Sequence, residues 1–378
     1  MSSTEELIGR ADVNDVEAIL AITNTDLDEV QHAVVDNADA LFTWDYTLAR
    51  PALRKLYEKA KTGQWNATTD LPWDTPVDQE AIVIANNDQA IARGLNMDQE
   101  FFRGSPVENW GDEEWLRFNM EQQSWTLSQF LHGEQGALLC TAKIVETVPW
   151  YDAKLYASTQ VMDEARHVEV FARYLDEKLT GHYPINAHLR LLLDDIVNDS
   201  RWDMTYLGMQ IMVEGLALAA FGFMHQMTTE PLLKQLLRYV MSDEARHVAF
   251  GVLSLKEIYE QMSAQELRER QEFAFEAAVR MRDRFLSQEV WDRCGIDRET
   301  ITRMLFEVRR PGVNPFQASL FSKIVPNCKK LGLLDAADGW LRARFTEIGV
   351  IQFEDWVDTG EEYGAYGLDQ EAPAPAAS

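Results

Sequence analysis

The chain has 378 residues, with 35 Lys and Arg against 62 Asp and Glu and a formal net charge of −27. That length can bury a large core, and that charge repels phosphate backbones and anionic lipid, which argues against nucleic acid or a membrane surface as a partner. Cys140, Cys294 and Cys328 show no C-x-x-C spacing and suit a reducing, cytoplasmic setting better than a disulfide framework.

In chain order, the opening "MSSTEELIGR" carries no basic-then-apolar signal. Residues 1–111 are expected to form a helical extension packing on the core, with short helices within 5–60 and 77–95. Beyond them, long segments without proline are separated by the turn signals "TVPWYD", "TGHYPIN" and "TTEP". This pattern predicts helices over roughly 112–147, 150–179, 185–199, 201–227, 229–261 and 264–290. Residues 112–261 would then make a four-helix core, residues 262–345 would add C-terminal helices, and the acidic Ala/Pro-rich end at 360–378 reads as disordered. No strand alternation is convincing, so the fold class is all-α. The most apolar stretch, "MQIMVEGLALAAFGFM" (Met209–Met224), carries Gln210 and Glu214. It reads as a buried core helix rather than a bilayer span, and the carboxylate near its centre needs a reason.

That reason lies in a repeat. "DEARHV" stands at Asp163–Val168 and again at Asp243–Val248, 80 positions later. The same displacement superposes Leu127 on Leu207, Glu134 on Glu214, Ala137 on Ala217, Leu138 on Leu218 and Leu175 on Leu255 without a gap. Each half is therefore a two-helix unit with one Glu on its first helix and Glu-x-x-His on its second. Glu164 and His167 share a helix face, as do Glu244 and His247. The turns near Pro149 and Pro231 fall about midway between each Glu and its motif, so all six groups can meet at one depth of a bundle.

Four ionised carboxylates in an apolar core would be strongly disfavoured. Two divalent cations would balance them and leave both imidazoles neutral. One Glu from each of two helices, with Glu-x-x-His from each of the other two, is the di-iron and di-manganese bundle pattern. Mixed carboxylate and imidazole ligation suits iron or manganese, and the lack of thiolates disfavours structural zinc. A lone E-x-x-H would read as a solvated charged face; the pair in register does not. Asp163 is expected to orient His247 and Asp243 to orient His167, with Arg166 and Arg246 anchoring the two aspartates.

Glu134, Glu164, His167, Glu214, Glu244 and His247 together resemble the ligand set of the ferritin-like di-iron carboxylate superfamily over about residues 112–260. Length and extra helices look like its oxygen-activating branch, which includes ribonucleotide reductase small subunits, bacterial multicomponent monooxygenase hydroxylases, desaturases and arylamine N-oxygenases. "LYEKAKTGQWNATTDLPW" (Leu56–Trp73) also looks like an N-terminal segment of the hydroxylases. The resemblance implies a ferritin-like four-helix core elaborated with extra N- and C-terminal helices. It implies that Glu164 and Glu244 bridge two irons, or Mn and Fe, while Glu134 and Glu214 bind one metal each, with O₂ as co-substrate. Three positions depart from the named branches: Phe171 replaces the radical tyrosine of the reductase subunit, Leu218 a hydroxylase threonine, and Val240 the additional histidine ligand of arylamine N-oxygenases.

On the faces shared with the ligands lie Leu127, Phe130, Leu131, Ala137 and Leu138, and, on the counterpart helix, Leu207, Ile211, Ala217, Leu218 and Phe221, with Thr141 and Gln210 as polar exceptions. Most of these read as core packing, but alanines beside the metals leave room for an apolar substrate. The expected function is an O₂-activating oxidoreductase that hydroxylates, desaturates or N-oxygenates a small, largely apolar molecule. Its electrons would come from a ferredoxin or flavin reductase, and the resemblance implies a homodimer. The alternatives are a radical-generating subunit, with Tyr151, Tyr156 or Tyr174 as radical carrier, and a ferroxidase or metal-storage protein.

Overall fold

The computed structural model describes residues 8–10, 12–24, 29–93, 102–308 and 315–357. The tail expected at 360–378 lies outside them. Val148 precedes Pro149, and the residue before a proline is pushed out of the helical region; Val148 sits at ψ 136 and ends the longest helix. The same logic of caps and prolines sets most boundaries. Among the described residues, three short N-terminal helices, α1 (Val16–Leu20), α2 (Pro51–Thr62) and α3 (Gln79–Ala92), precede the core. The core consists of α4 (Asp112–Thr147), α5 (Tyr151–Lys178), α7 (Trp202–Met227) and α8 (Pro231–Tyr259), with α6 (Ala187–Asn198) crossing between its two hairpins. Then follow α9 (Ala264–Arg284), α10 (Gln288–Arg293), α11 (Arg298–Val308), α12 (Pro315–Lys330) and α13 (Ala336–Glu347).

α8 starts at Pro231, where a missing N–H costs nothing, and the Glu230 carboxylate accepts the N–H groups of Leu232 and Leu233. Asn186 caps α6 in the same way through His188 and Leu189. α4 lies along α5, α7 along α8, α2 bridges α5 and α8, and α12 covers the second half of α7. A continuous apolar core runs through this bundle and includes Leu127, Phe171, Leu207, Phe221, Leu237 and Phe250. By length and composition α7 would suit a membrane span, but 78% of its most apolar window is buried inside the bundle. Such a helix is a core element, held by the neighbours that cover it.

Two local features differ from the sequence expectation. The helix expected over 264–290 breaks after Arg284, because Ser287 adopts left-handed angles (φ 51, ψ 43) before α10 begins. The helix expected over 201–227 is continuous, but Leu207–Val213 winds as a π-helix, and the N–H of Glu214 bonds to the carbonyl of Met209. Two close approaches flank this segment. A Cβ on Gly208 would stand 2.6 Å from Ile196 of α6, and one on Gly251 of α8 would stand 2.6 Å from Gln210. The wider turn thus sits where neighbouring helices press against its backbone.

Candidate metal centre

The repeat delivers its six groups to one point. Glu134 comes from α4, Glu164 and His167 from α5, Glu214 from α7, and Glu244 and His247 from α8; each is at most 5% exposed. Nδ1 of His167 lies 3.1 Å from Glu134 Oε2, 3.1 Å from Glu244 Oε1 and 3.4 Å from Glu164 Oε2. Nδ1 of His247 lies 3.1 Å from Glu164 Oε1, 3.6 Å from Glu244 Oε2 and 3.8 Å from Glu214 Oε2. Glu164 and Glu244 therefore approach both imidazoles. Glu134 approaches His167 and Glu214 approaches His247. The ligand atoms fall into two groups compact enough for an ion, Glu134–Glu164–His167–Glu244 and Glu164–Glu214–His247.

The donor set fits two cations better than it fits itself. Oε2 of Glu164, Oε2 of Glu214, both Glu244 oxygens and Nδ1 of His247 are buried without a hydrogen bond, an arrangement that ordinarily costs about 1–3 kcal/mol per group. Titration tells the same story. Burial, helped by the Glu244 charge, raises Glu134 to about 8, and burial with the Glu164 charge pushes Glu214 well above the carboxylate range. Burial also works to raise Glu164, but His247 and His167 outweigh it and hold that carboxylate low. Desolvation would lower both imidazoles, yet the facing carboxylates, Glu134 for His167 and Glu164 for His247, keep them well above their ordinary range. Protons are thus held between groups that two cations would bind instead.

Around this cluster a second layer closes on itself. Nε2 of His167 lies 3.2 Å from Asp243, and Nε2 of His247 lies 3.3 Å from Asp163. Arg166 donates to Asp163 and lies 3.4 Å from Asp243, while Arg246 donates to Asp243 and lies 3.5 Å from Asp163. Two acids and two guanidinium groups cancel, so the net negative charge belongs to the four glutamates. Asp243 is held far below the usual range: burial opposes this, but Arg246 and His167 prevail. The N-terminal segment completes the layer, with Gln64 Nε2 donating to Asp163 (2.9 Å) and Trp65 Nε1 to Asp243 (2.8 Å).

Sequence reasoning overlooked Gln160. Its amide donates to Glu164 at 3.0 Å and Glu214 at 2.9 Å, and its place one turn before Glu164 was the available signal. A narrow cavity of about 20 Å³ beside the ligands is lined by Phe130, Ala137 and Ala217 from the expected set, together with Gln129, Gly133, Val213 and Arg284. Leu127, Leu218 and Phe221 are buried outside that wall, and Leu138 is half-buried outside it. Thr141 and Gln210 are also off the wall, buried and without hydrogen bonds. Gln210 rests against Gly251 of α8. Phe171 packs on Phe221 at 5.6 Å between ring centres, in an aromatic cluster with Phe130. Tyr174 donates to Glu230 at 3.0 Å, whereas the buried Tyr156 hydroxyl has no partner.

An all-α bundle enclosing four glutamates and two histidines in this order is a ferritin-like di-metal carboxylate oxidoreductase of the oxygen-activating kind. Residues 141–332 match the family described as P-aminobenzoate N-oxygenase AurF, and the chain belongs to that family. Val240 does not exclude it from this family; the side chain is fully buried and aliphatic and supplies no further ligand. Among solved structures, the chain is similar to an R2-like ligand-binding oxidase with an aerobically reconstituted metal cofactor after photoconversion (17% identity, 72% of this chain and 94% of that one, TM-score 0.43). It is similar also to a variant of such an oxidase with an aerobically reconstituted Mn/Fe cofactor (18% identity, the same coverages of 72% and 94%, TM-score 0.44). Among curated proteins none matches the chain.

Proposed function

We propose that Glu134, Glu164, His167, Glu214, Glu244 and His247 hold two iron ions, or one manganese and one iron, and that the enzyme uses O₂ to oxidise a small, largely apolar organic molecule. The convergence of four glutamates and two histidines around orphaned buried oxygens is the observation that carries this reading. The metals would supply O₂ activation, which no side chain can perform. The chain supplies the rest. Glu164 and Glu244, near both imidazoles, would help hold both metals; Asp163 and Asp243 fix the imidazole tautomers; Gln160 steadies Glu164 and Glu214. Phe130, Ala137, Val213 and Ala217 give the cavity apolar walls that keep water from the oxidised atom.

The family name supports N-oxygenation within the wider set of oxygen insertions. Electrons come from a ferredoxin or flavin reductase in this reading. A cytoplasmic setting is supported by three unpaired cysteines. A homodimer would cover the stacked Phe42 and Trp44, each 73% exposed. The test is anaerobic loading with Fe(II), iron counting, and exposure to ¹⁸O₂ with an electron donor. About two irons per chain, the number the bundle pattern holds, and ¹⁸O in a product are expected. Iron that keeps accumulating without product would make the protein a storage or ferroxidase module.

A further inference from the structure

The acidity of the chain is unevenly spread. Its formal net charge is −27, yet α2 carries Arg54, Lys55, Lys59 and Lys61 against Glu58 alone. The first turns of α8, from Pro231 to Met241, carry Lys234 and Arg238 and no acid. The two stretches meet: α2 packs on α8, and the chain leaving α2 lays Trp65 on Tyr239, 4.9 Å between ring centres. Lys61 closely precedes Trp65 and Arg238 adjoins Tyr239, so bases flank that pair along both helices. Arg54, Lys55, Lys234 and Arg238 are exposed and, among the described residues, take part in no ion pair. The bordering acids are engaged. Glu58 pairs with Lys61 and Glu257 with Arg50, and Asp70 accepts from the Asn66 N–H and the Thr69 hydroxyl. Burial, helped by the Lys234 and Arg238 charges, lowers the neighbouring His225.

This basic face covers the layer that orients both imidazoles. Just beyond α2, Gln64 donates to Asp163, which faces His247, and Trp65 donates to Asp243, which faces His167. The six ligand residues are at most 5% exposed, so a redox partner cannot touch them and must deliver electrons through the protein. An acidic partner is repelled by most of this surface and attracted here, which sets both its place and its orientation. A basic partner would be drawn to the acidic remainder and repelled from this face. We propose that the exposed face of α2 and the start of α8 docks an acidic one-electron carrier, a small iron–sulfur protein of the ferredoxin kind. Each encounter moves one electron from the carrier to one metal ion, so the carrier is oxidised as the ion is reduced. This inference rests on the metal-centre reading above and selects a ferredoxin over a flavin reductase as donor.

The test is calorimetric titration of an acidic 2Fe–2S ferredoxin into the full chain, apo and iron-loaded, with basic cytochrome c as the probe of opposite charge. The reversed pairs are Arg54→Glu with Lys55→Glu, and Lys234→Glu with Arg238→Glu; Arg54→Gln with Lys55→Gln is the neutral pair. Arg117→Glu, on α4 where Arg117 bonds to the Arg293 carbonyl of α10, is the control. Ferredoxin should bind wild type and weaken as salt rises from about 0.01 M to about 0.15 M, which cuts the screening length from about 30 Å to about 8 Å. Each reversed pair should lose about tenfold or more in affinity, the neutral pair part of that, and the control about twofold at most. Cytochrome c should bind the reversed pairs no less tightly than wild type, which separates lost charge from lost fold. In iron-loaded protein, the rate at which reduced ferredoxin bleaches the absorption of oxidised iron should fall in the same order. No ferredoxin binding at low salt, an equal loss in the control, or wild-type affinity in both reversed pairs overturns the proposal. Wild type that captures single-stranded RNA or phosphatidylserine vesicles in place of ferredoxin overturns it too. Should the reversed pairs fail to fold, the neutral pair decides in the same way. Ferredoxin binding that depends on this face without iron uptake sinks only the metal reading. About two irons per chain, reduced by ferredoxin at the wild-type rate in every variant, sinks only this inference.

Discussion

The two hairpins, α4–α5 and α7–α8, carry the same glutamate and Glu-x-x-His groups at the same spacing, yet they are not equivalent. Glu134 sits in a regular α-helix, 3.1 Å from His167, beside an open wall at Gly133. Glu214 follows a π-helical segment, lies 3.8 Å from His247, and accepts a hydrogen bond from Gln160. The group around His167 gathers four candidate ligand atoms, with Glu244 lent by α8, and the group around His247 gathers three, with Glu164 lent by α5. A duplicated motif thus fixes which atoms are offered, and the unlike helices around it fix how firmly each half holds them. We expect the α4–α5 half to bind its metal more tightly than the α7–α8 half.

The largest effects come from breaking what the halves share. Glu164→Ala or Glu244→Ala should abolish stoichiometric metal binding, whereas Glu134→Ala or Glu214→Ala should each leave about one ion per chain by elemental analysis, from the two that the bundle pattern holds. Normal metal content in both bridging variants would refute the assignment. Next, Asp163→Asn or Asp243→Asn leaves two buried guanidinium groups under-neutralised. Each should cost about 3–5 kcal/mol by denaturant unfolding and lower metal affinity by about 10–100-fold. Asp243→Asn should weaken the α4–α5 half, where His167 sits, and Asp163→Asn the other.

A control outside both halves separates fold-wide acid loss from loss at the centre. His188 of α6 is buried with neither ring nitrogen bonded, and burial holds it down at about 4. Below its unfolded value of 6.5 the open chain takes a proton that the fold refuses. Its contribution to stability is therefore complete above 6.5, fades as pH falls, and is lost by about 4. The loss amounts to about 3 kcal/mol, at about 1.4 kcal/mol per pH unit. His188→Leu should flatten unfolding free energy across that window; an unchanged profile would count against it. Smallest are two glycine substitutions. Gly251→Ala should cost about 1–3 kcal/mol by pressing on Gln210, and Gly133→Ala should stabilise by about 0.5–1 kcal/mol, because its Cβ enters open space on a helix. Equal melting shifts would show the two walls to be alike.

Much of this could be read from residues alone because it depends on local rules. Prolines at 149 and 231 and the Asn186 cap set helix ends near where they are found, and the spacing of Glu134, Glu164 and His167 with their counterparts names the cluster. What could not be read depends on contact between distant segments. The π-turn at Leu207–Val213 has no residue signature; it accompanies the close approach of Ile196 and Gly251 from other helices. Ser287 is a non-glycine residue in a left-handed conformation, which propensity would assign elsewhere. Arg284 is one of three arginines in "RMRDRF", and only the fold places it, and not Arg280 or Arg282, on the cavity wall. Gln64 and Trp65 lay in a segment recognised by resemblance, but their hydrogen bonds to Asp163 and Asp243 are tertiary facts.

The crossed pairing of Asp163 with His247 and Asp243 with His167 has a consequence for the order in which the chain is made. The first hairpin leaves the ribosome about 80 residues ahead of the second, and until then His167 has no orienting carboxylate and Arg166 lacks one of its two partners. Metal captured by that nascent half would meet an imidazole free to turn either way. The centre is therefore the last part of the bundle to be completed: a chain ending before residue 243 keeps the Arg166–Asp163 pair but lacks the acid and the glutamate that meet His167 from α8.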